Sequence, residues 1–321
     1  MISTRRHFLG LSLSAAALAA TPLRAAAAPV GVVATTGMIA DAALRIGGDL
    51  AEVKALMGPG VDPHSYRQTR SDIVALTRAD LVLWHGLYLE AQMEELLLKL
   101  AARGNTEAVG EAVPVGQRIA HKDYSGKFDP HVWMAPGLWT HAVRAVEAAL
   151  ARTAPEHADT FAANAAAYLA EIDRLDAFAR DTLATVPDGA RVLVTAHDAF
   201  GYFGRAYGFE VVGIRGISTE SEAGLDRIRK LVDMLVARRI GAVFVESSVS
   251  DRNIRALVEG ASAQGHEVRI GGELFSDAMG QPGTYEGTYP GMIDHNVTTI
   301  AAALGGRVPT RGMAGKLSAG S

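Results

Sequence analysis

The stretch Phe161-Ala162-Ala163-Asn164-Ala165-Ala166-Ala167-Tyr168-Leu169-Ala170-Glu171-Ile172-Asp173-Arg174-Leu175-Asp176-Ala177-Phe178-Ala179-Arg180-Asp181-Thr182-Leu183 decides the architecture. Phe161, Ala165, Tyr168, Ile172, Leu175, Ala179 and Leu183 recur at steps of three and four residues. On a helix of 3.6 residues per turn they form one apolar stripe. No strand pattern interrupts residues 156–185. Thr153 is placed to cap this helix, with Glu156 three residues on completing a capping box, and Pro187-Asp188-Gly189 end it. A helix of roughly thirty residues spans about 45 Å, longer than one small lobe needs. The stretch reads as a rigid spine between two lobes, which would restrict hinge opening more than flexible linkers do. The alternative is a long peripheral helix of a single domain.

On either side of the spine, short β-branched runs alternate with helical patterns. Strand patterns occupy 30–34, 52–56, 81–84, 192–195, 210–214, 242–246 and 267–270, and helical patterns include 92–102, 226–237 and 251–261. Apolar strands alternating with helices indicate parallel sheets covered on both faces. The expected fold class is α/β: two lobes with parallel β-sheets flanked by helices, joined by one long backbone helix. The expected division is a signal peptide at 1–28, a first lobe at 29–150, the linking helix at 151–189 and a second lobe at 190–321. The Gly-, Ser- and Ala-rich tail 311–321 reads as a frayed end.

Residues 1–28 read as an address. Arg5 and Arg6 head an apolar run over 8–20, and Ala25-Ala26-Ala27-Ala28 offers small-residue cleavage options before Pro29. The run is too short to span a bilayer, and Thr4-Arg5-Arg6-His7-Phe8-Leu9 resembles a twin-arginine export signal. The chain has 321 residues, 49% hydrophobic and 21% charged, a normal globular balance that excludes a disordered or fibrous protein. The formal net charge of −4 sets nucleic-acid binding aside. Cysteine is absent, which excludes disulfides, thiolate metal sites, a cysteine nucleophile and a lipidated cysteine together. The mature protein is therefore expected free in the periplasm, and any metal must be held by nitrogen and oxygen.

Three histidines have an informative setting. His64 and His131 both follow Asp-Pro, in Asp62-Pro63-His64 and Asp129-Pro130-His131. Proline fixes its own φ and biases the residue before it towards an extended conformation, so the imidazole is aimed with little entropy left to lose. His197 follows the strand pattern 192–195, and Asp277 follows the last strand. The carboxyl ends of parallel strands are where ligands bind in α/β sheets. Three imidazoles and a carboxylate suit zinc or manganese, although separations of 67, 66 and 80 residues make no local metal motif. His85 and His121 are weaker candidates, the first supporting a ligand or itself ligating, the second forming an accessory site over the cleft. His141, His157, His266 and His295 read as surface or structural. Asp62 and Asp129, and more weakly Asp198, are placed to accept the other ring N–H of a ligating histidine.

The sequence resembles the TroA-like (cluster A) metal-binding receptors of bacterial ABC importers. The matching segments are Gly58-Pro59-Gly60-Val61-Asp62-Pro63-His64-Ser65-Tyr66, Asp129-Pro130-His131-Val132-Trp133-Met134, His197-Asp198-Ala199-Phe200-Gly201-Tyr202-Phe203, Val245-Glu246-Ser247-Ser248, Leu274-Phe275-Ser276-Asp277-Ala278-Met279-Gly280 and Tyr289-Pro290-Gly291-Met292-Ile293-Asp294-His295-Asn296. They run in family order through nearly all of the chain after residue 28. The resemblance implies two α/β lobes on one long helix, with His64 and His131 from the first lobe and His197 and Asp277 from the second holding one metal ion between them. It implies a periplasmic solute-binding protein that captures Zn²⁺ or Mn²⁺ as transported ligand and passes it to a membrane permease and, through it, an ATPase subunit, acting as a monomer. Manganese-type members often carry glutamate where His197 stands, and zinc-specific members a long His-rich loop where residues 104–128 hold only His121. Neither hallmark is present.

The main rival is a periplasmic metal-dependent hydrolase. It needs an open coordination position and a base, and the sequence has no H-E-x-x-H, no H-x-H pair and no G-x-S-x-G. The expectation is that the protein is not an enzyme. A metal-stabilised adhesin or scaffold is the third reading, separated from a receptor by metal exchange.

Overall fold

The computed structural model describes residues 28–121, 124–220 and 222–318. The expected signal segment, with Arg5, Arg6 and His7, lies outside the described residues apart from Ala28. The first lobe runs β1 (Val30–Ala34), α1 (Gly37–Gly47), β2 (Ala51–Ala55), α2 (Arg70–Arg78), β3 (Leu81–Trp84), α3 (Glu94–Ala101) and β4 (Thr106–Ala108), followed by α4 (Pro136–Thr153). Its four strands form one sheet in the order β2-β1-β3-β4, every pair parallel. The long helix α5 (Ala158–Leu183) comes next. The second lobe follows as β5 (Val192–Thr195), α6 (Gly201–Tyr207), β6 (Glu210–Gly213), α7 (Leu225–Arg238), β7 (Ala242–Glu246), α8 (Arg252–Ala263), β8 (Arg269–Leu274) and α9 (Tyr289–Ala303). It holds two parallel pairs, β5-β6 and β7-β8, with β5 beside β7. This is the expected fold class. Among the described residues no helix is long and apolar enough to cross a membrane.

The spine has 26 residues, about 39 Å at 1.5 Å per residue. Every member of its apolar stripe is buried, and each large side chain there contributes about 1.5–3 kcal/mol of hydrophobic stabilisation. Polar bonds tie the same helix to both lobes. Asn164 Nδ2 donates to Ile46 O at 2.9 Å and Tyr168 Oη to Asp41 Oδ2 at 2.7 Å, both on α1. About two and three turns further on, Asp176 accepts from Tyr207 Oη at 2.8 Å and Arg180 Nη1 donates to Ala206 O at 3.3 Å, with Tyr207 and Ala206 both on α6. A helix bonded to both lobes along its length acts as a strut.

Three expectations need correction. Thr153 does not cap the spine. It closes α4, its hydroxyl bonding back to Ala149 O at 2.9 Å, and α5 begins after His157 without a side-chain cap. The serine or threonine hydroxyl of a last helical turn has its own i−4 carbonyl within reach, and that local bond wins. Strand β8 ends at Leu274 rather than 270, because Gly271-Gly272 is part of the strand. A Cβ on Gly272 would lie 2.4 Å from Thr299 Cγ2, so this glycine admits α9 at close range instead of ending the strand. The tail is anchored through residue 318. Leu317 is buried, Met313 N donates to Asp294 Oδ1 at 2.9 Å and Ser318 N to Glu286 Oε1 at 2.6 Å.

Candidate metal centre

The two Asp-Pro-His segments build the same turn. Asp62 Oδ1 accepts the His64 N–H at 2.9 Å, and Asp129 Oδ1 accepts the His131 N–H at 2.9 Å. An aspartate bonding the amide two residues on is a local turn that proline stiffens. Beyond that the two differ. Asp129 Oδ1 also takes the His131 ring, at 2.7 Å from Nδ1. Asp62 gives its second oxygen to the hydroxyls of Ser65, at 2.9 Å, and Thr219, at 2.5 Å. His197 lies two residues past β5. Glu246, which ends the neighbouring β7, accepts its N–H at 2.9 Å through Oε1 and its ring Nδ1–H at 2.5 Å through Oε2. Asp277 follows β8, and Trp133 of the first lobe reaches the preceding residue, Nε1 donating to Ser276 O at 2.8 Å.

These placements bring His64, His131, His197 and Asp277 together, all four buried, with one ligand atom from each lying within 4.8 Å of the others. His131 Nε2 is 3.2 Å from His64 Nε2, 3.3 Å from His197 Nε2 and 3.3 Å from Asp277 Oδ1, and His197 Nε2 is 3.2 Å from Asp277 Oδ2. A tetrahedron with metal–ligand bonds of about 2.0 Å has edges of about 3.3 Å. The spacing of the group thus suits one small cation. Asp277 Oδ1 is buried with His131 Nε2 3.3 Å away, and a cation held between the two would satisfy both.

The electrostatics divide the histidines. Burial pushes His64 well below its ordinary 6.5, with His131 and His197 adding repulsion, so it is neutral. Burial opposes charge on His131 as well, but Asp129 and Asp277 outweigh it and raise the group to about 9. Glu246 and Asp277 likewise outweigh burial at His197 and raise it well above 6.5. Burial would raise Asp277, yet His197 and His131 hold it well below the usual carboxylate range. The metal-free group is thus two imidazoliums among carboxylates, and a cation must displace their Nε2 protons.

The remaining candidates fall elsewhere. His85 stays out of the group. Fully buried against Trp133 and Trp139, it meets Pro130 O at 2.7 Å through Nε2 and so braces the turn that presents His131. Burial lowers it to about 3, so it is a neutral donor there. His121 is buried, its Nδ1 accepting the Tyr124 N–H at 3.3 Å. His266 and His295 bond the carbonyls of Ile240 and Glu273, and His141 and His157 are half-buried. The acceptor behind His197 is Glu246, not Asp198. Reading the sequence missed this role, though the signal was there: a carboxylate ending the apolar run Ala242-Val243-Phe244-Val245.

Known proteins resemble the chain over most of its length. The family described as ZnuA, zinc-uptake complex component A periplasmic, matches residues 32–303. A Bacillus subtilis protein described as manganese-binding lipoprotein MntA is 51% identical over 274 residues, 85% of this chain and 89% of its own. The zinc-binding protein TroA of Treponema pallidum is 48% identical over 273 residues, 85% of this chain and 88% of its own. The iron-binding protein YfeA of Yersinia pestis is 34% identical over 294 residues, 91% of this chain and 92% of its own. The solved structure of the periplasmic zinc-binding protein TroA from Treponema pallidum superposes with a TM-score of 0.84, covering 86% of this chain and 99% of that one.

Proposed function

The chain belongs to the ZnuA family of periplasmic zinc-uptake components, and on that premise we propose that it is the periplasmic receptor of a metal ABC importer, capturing Zn²⁺ or Mn²⁺ for delivery to a membrane permease. The observation that carries this reading is the convergence of four buried ligand atoms, two from residues before the spine and two from residues after it. We assign His64, His131, His197 and Asp277 as the ligands of one transported cation, between lobes at 29–150 and 190–321 joined through 151–189. Three imidazoles and a carboxylate form a zinc set. If Asp277 uses both oxygens the same set becomes five-coordinate and serves manganese. Zinc is the tighter ligand by the Irving–Williams order, so supply decides as much as the site.

The proposed setting is periplasmic, with residues 1–28 as an export signal. The MntA relative is described as a lipoprotein; this sequence has no cysteine to carry a lipid thioether, and we read the mature form as unanchored and monomeric. The hydrolase alternative lacks support, since the family is one of solute receptors and Asp129 and Glu246 are engaged by histidine N–H groups rather than poised as a base. Native mass spectrometry of the stripped protein, titrated with Zn²⁺ and Mn²⁺ separately and together, tests the proposal. One metal per chain, lost in His197→Ala, is expected. Binding indifferent to His197, or no stoichiometric binding, overturns the ligand assignment.

A further inference from the structure

A segment of the second lobe runs from the turn carrying His197 to the turn carrying His64. Its root is bonded to the first of these turns: Ile214 N donates to Thr195 O at 3.0 Å, Arg215 N to Ala196 O at 3.1 Å, and Asp198 N to Gly216 O at 3.1 Å. Arg215 Nη1 then donates to Thr219 O at 2.9 Å, fixing the far end, where Thr219 is only 5% exposed. The Thr219 hydroxyl donates to Asp62 Oδ2 at 2.5 Å, and Asp62 Oδ1 accepts the His64 N–H. Gln92 and Glu220 make a second, exposed bond alongside.

His131 and His197 each have a carboxylate on the ring Nδ1, whereas the carboxylate beside His64 holds its backbone. The placing of His64 therefore depends on Asp62, and Asp62 is tied to the opposite lobe by one hydroxyl. Resting on the receptor reading above, we infer that Thr219 is a positioning residue that, through Asp62, sets His64 against His197 and slows release of the bound cation. A hydroxyl donating to a partly buried carboxylate is a charge-assisted bond, stronger than its neutral counterpart. The cation leaves only when a ligand swings away, so a tie between two ligand-bearing turns acts on the rate of escape.

The test compares Thr219→Val, which keeps the shape and loses the donor, with Thr219→Ser, which keeps the donor. Each full mature chain is loaded with one Zn²⁺, mixed with excess chelator and followed by stopped flow with a zinc-sensitive dye. Thr219→Val should release zinc about tenfold faster, with Thr219→Ser within about twofold of the parent. The rise in Tm on adding zinc should shrink in Thr219→Val alone. Gln92→Ala, at an exposed contact, should stay within about twofold. A parental release rate in Thr219→Val overturns the inference, as does an equal acceleration in Gln92→Ala. If the parent takes up no zinc, the receptor reading fails as well; if it does and Thr219→Val is indistinguishable from it, only this inference fails.

Discussion

Replacing Glu246 by glutamine should alter the proton count of metal binding as well as its strength. Glu246 is acceptor to two donors of one residue, the His197 N–H at 2.9 Å and the ring Nδ1–H at 2.5 Å. A glutamine has one oxygen, so its amide NH₂ must face the second donor or turn away from it. Losing such a carboxylate behind a ligating histidine lowers metal affinity by about 10–100-fold. The same carboxylate, with Asp277, is what raises His197 well above its ordinary 6.5. With His131 at about 9, the parent should release about two protons per metal at pH 7. Glu246→Gln, which leaves only Asp277 to raise His197, should release fewer. With less proton competition at His197, the mutant's affinity should also climb less steeply with pH, and its deficit should be larger at pH 8 than at pH 6. Titration calorimetry in buffers of differing ionisation enthalpy counts the protons, and chelator competition gives the affinities. An unchanged proton count, or an affinity loss equal at both pH values, would refute the account of His197.

Stability without metal should fall as pH rises from about 6.5 to 9. His131 is raised by folding to about 9, so its contribution is complete below 6.5 and lost as pH passes through 9. His197 acts in the same direction, and Asp277, lowered by folding, contributes above the ordinary carboxylate range and is lost only in acid. In the loaded protein the cation replaces those protons, so the Tm gap between loaded and stripped forms should widen with pH; a flat gap would contradict this. Gly110→Ala places a Cβ 2.6 Å from His85 Nε2 and 2.7 Å from His85 O. Urea unfolding should show a loss of about 1–3 kcal/mol, together with weaker zinc binding as the brace on Pro130 shifts. Ending the chain after Thr310 strips the Met313 N–H from the buried Asp294 and removes buried Leu317. An unfolding midpoint unchanged by this truncation would show that the tail contributes nothing, where a loss of about 1–3 kcal/mol is expected.

The similar proteins are described as binding manganese, zinc and iron in turn. Overall likeness therefore does not select the metal here. On the proposed ligand set, selection would rest on the coordination that Asp277 adopts and on how tightly the three histidines are held by Glu246, Asp129 and Asp62.

The sequence by itself determined what depends on near neighbours in the chain. The stripe from Phe161 to Leu183 could only be a helix with one buried face, because helical period and side-chain type are both local. Most strand runs were readable for the same reason, except that the three-residue β4, Thr106-Glu107-Ala108, is too short to carry a pattern and that Gly271-Gly272 concealed the end of β8 by looking like a break. Asp129 meets the His131 ring as expected, whereas Asp62, expected on the His64 ring, holds the His64 backbone N–H and two hydroxyls instead. What lay beyond reach was set by contacts across long separations. Thr153 looked like a cap because its rival partner, Ala149 O, becomes available only once α4 has formed. Glu246 was passed over for Asp198, the chain neighbour of His197, since nothing in the order of residues shows that β7 settles beside β5. The four candidate ligands stand 66 to 80 residues apart. Only packing both lobes on one strut brings their atoms within 4.8 Å, because a cation site is a matter of distances in space, and distance along the chain constrains those only over a few residues.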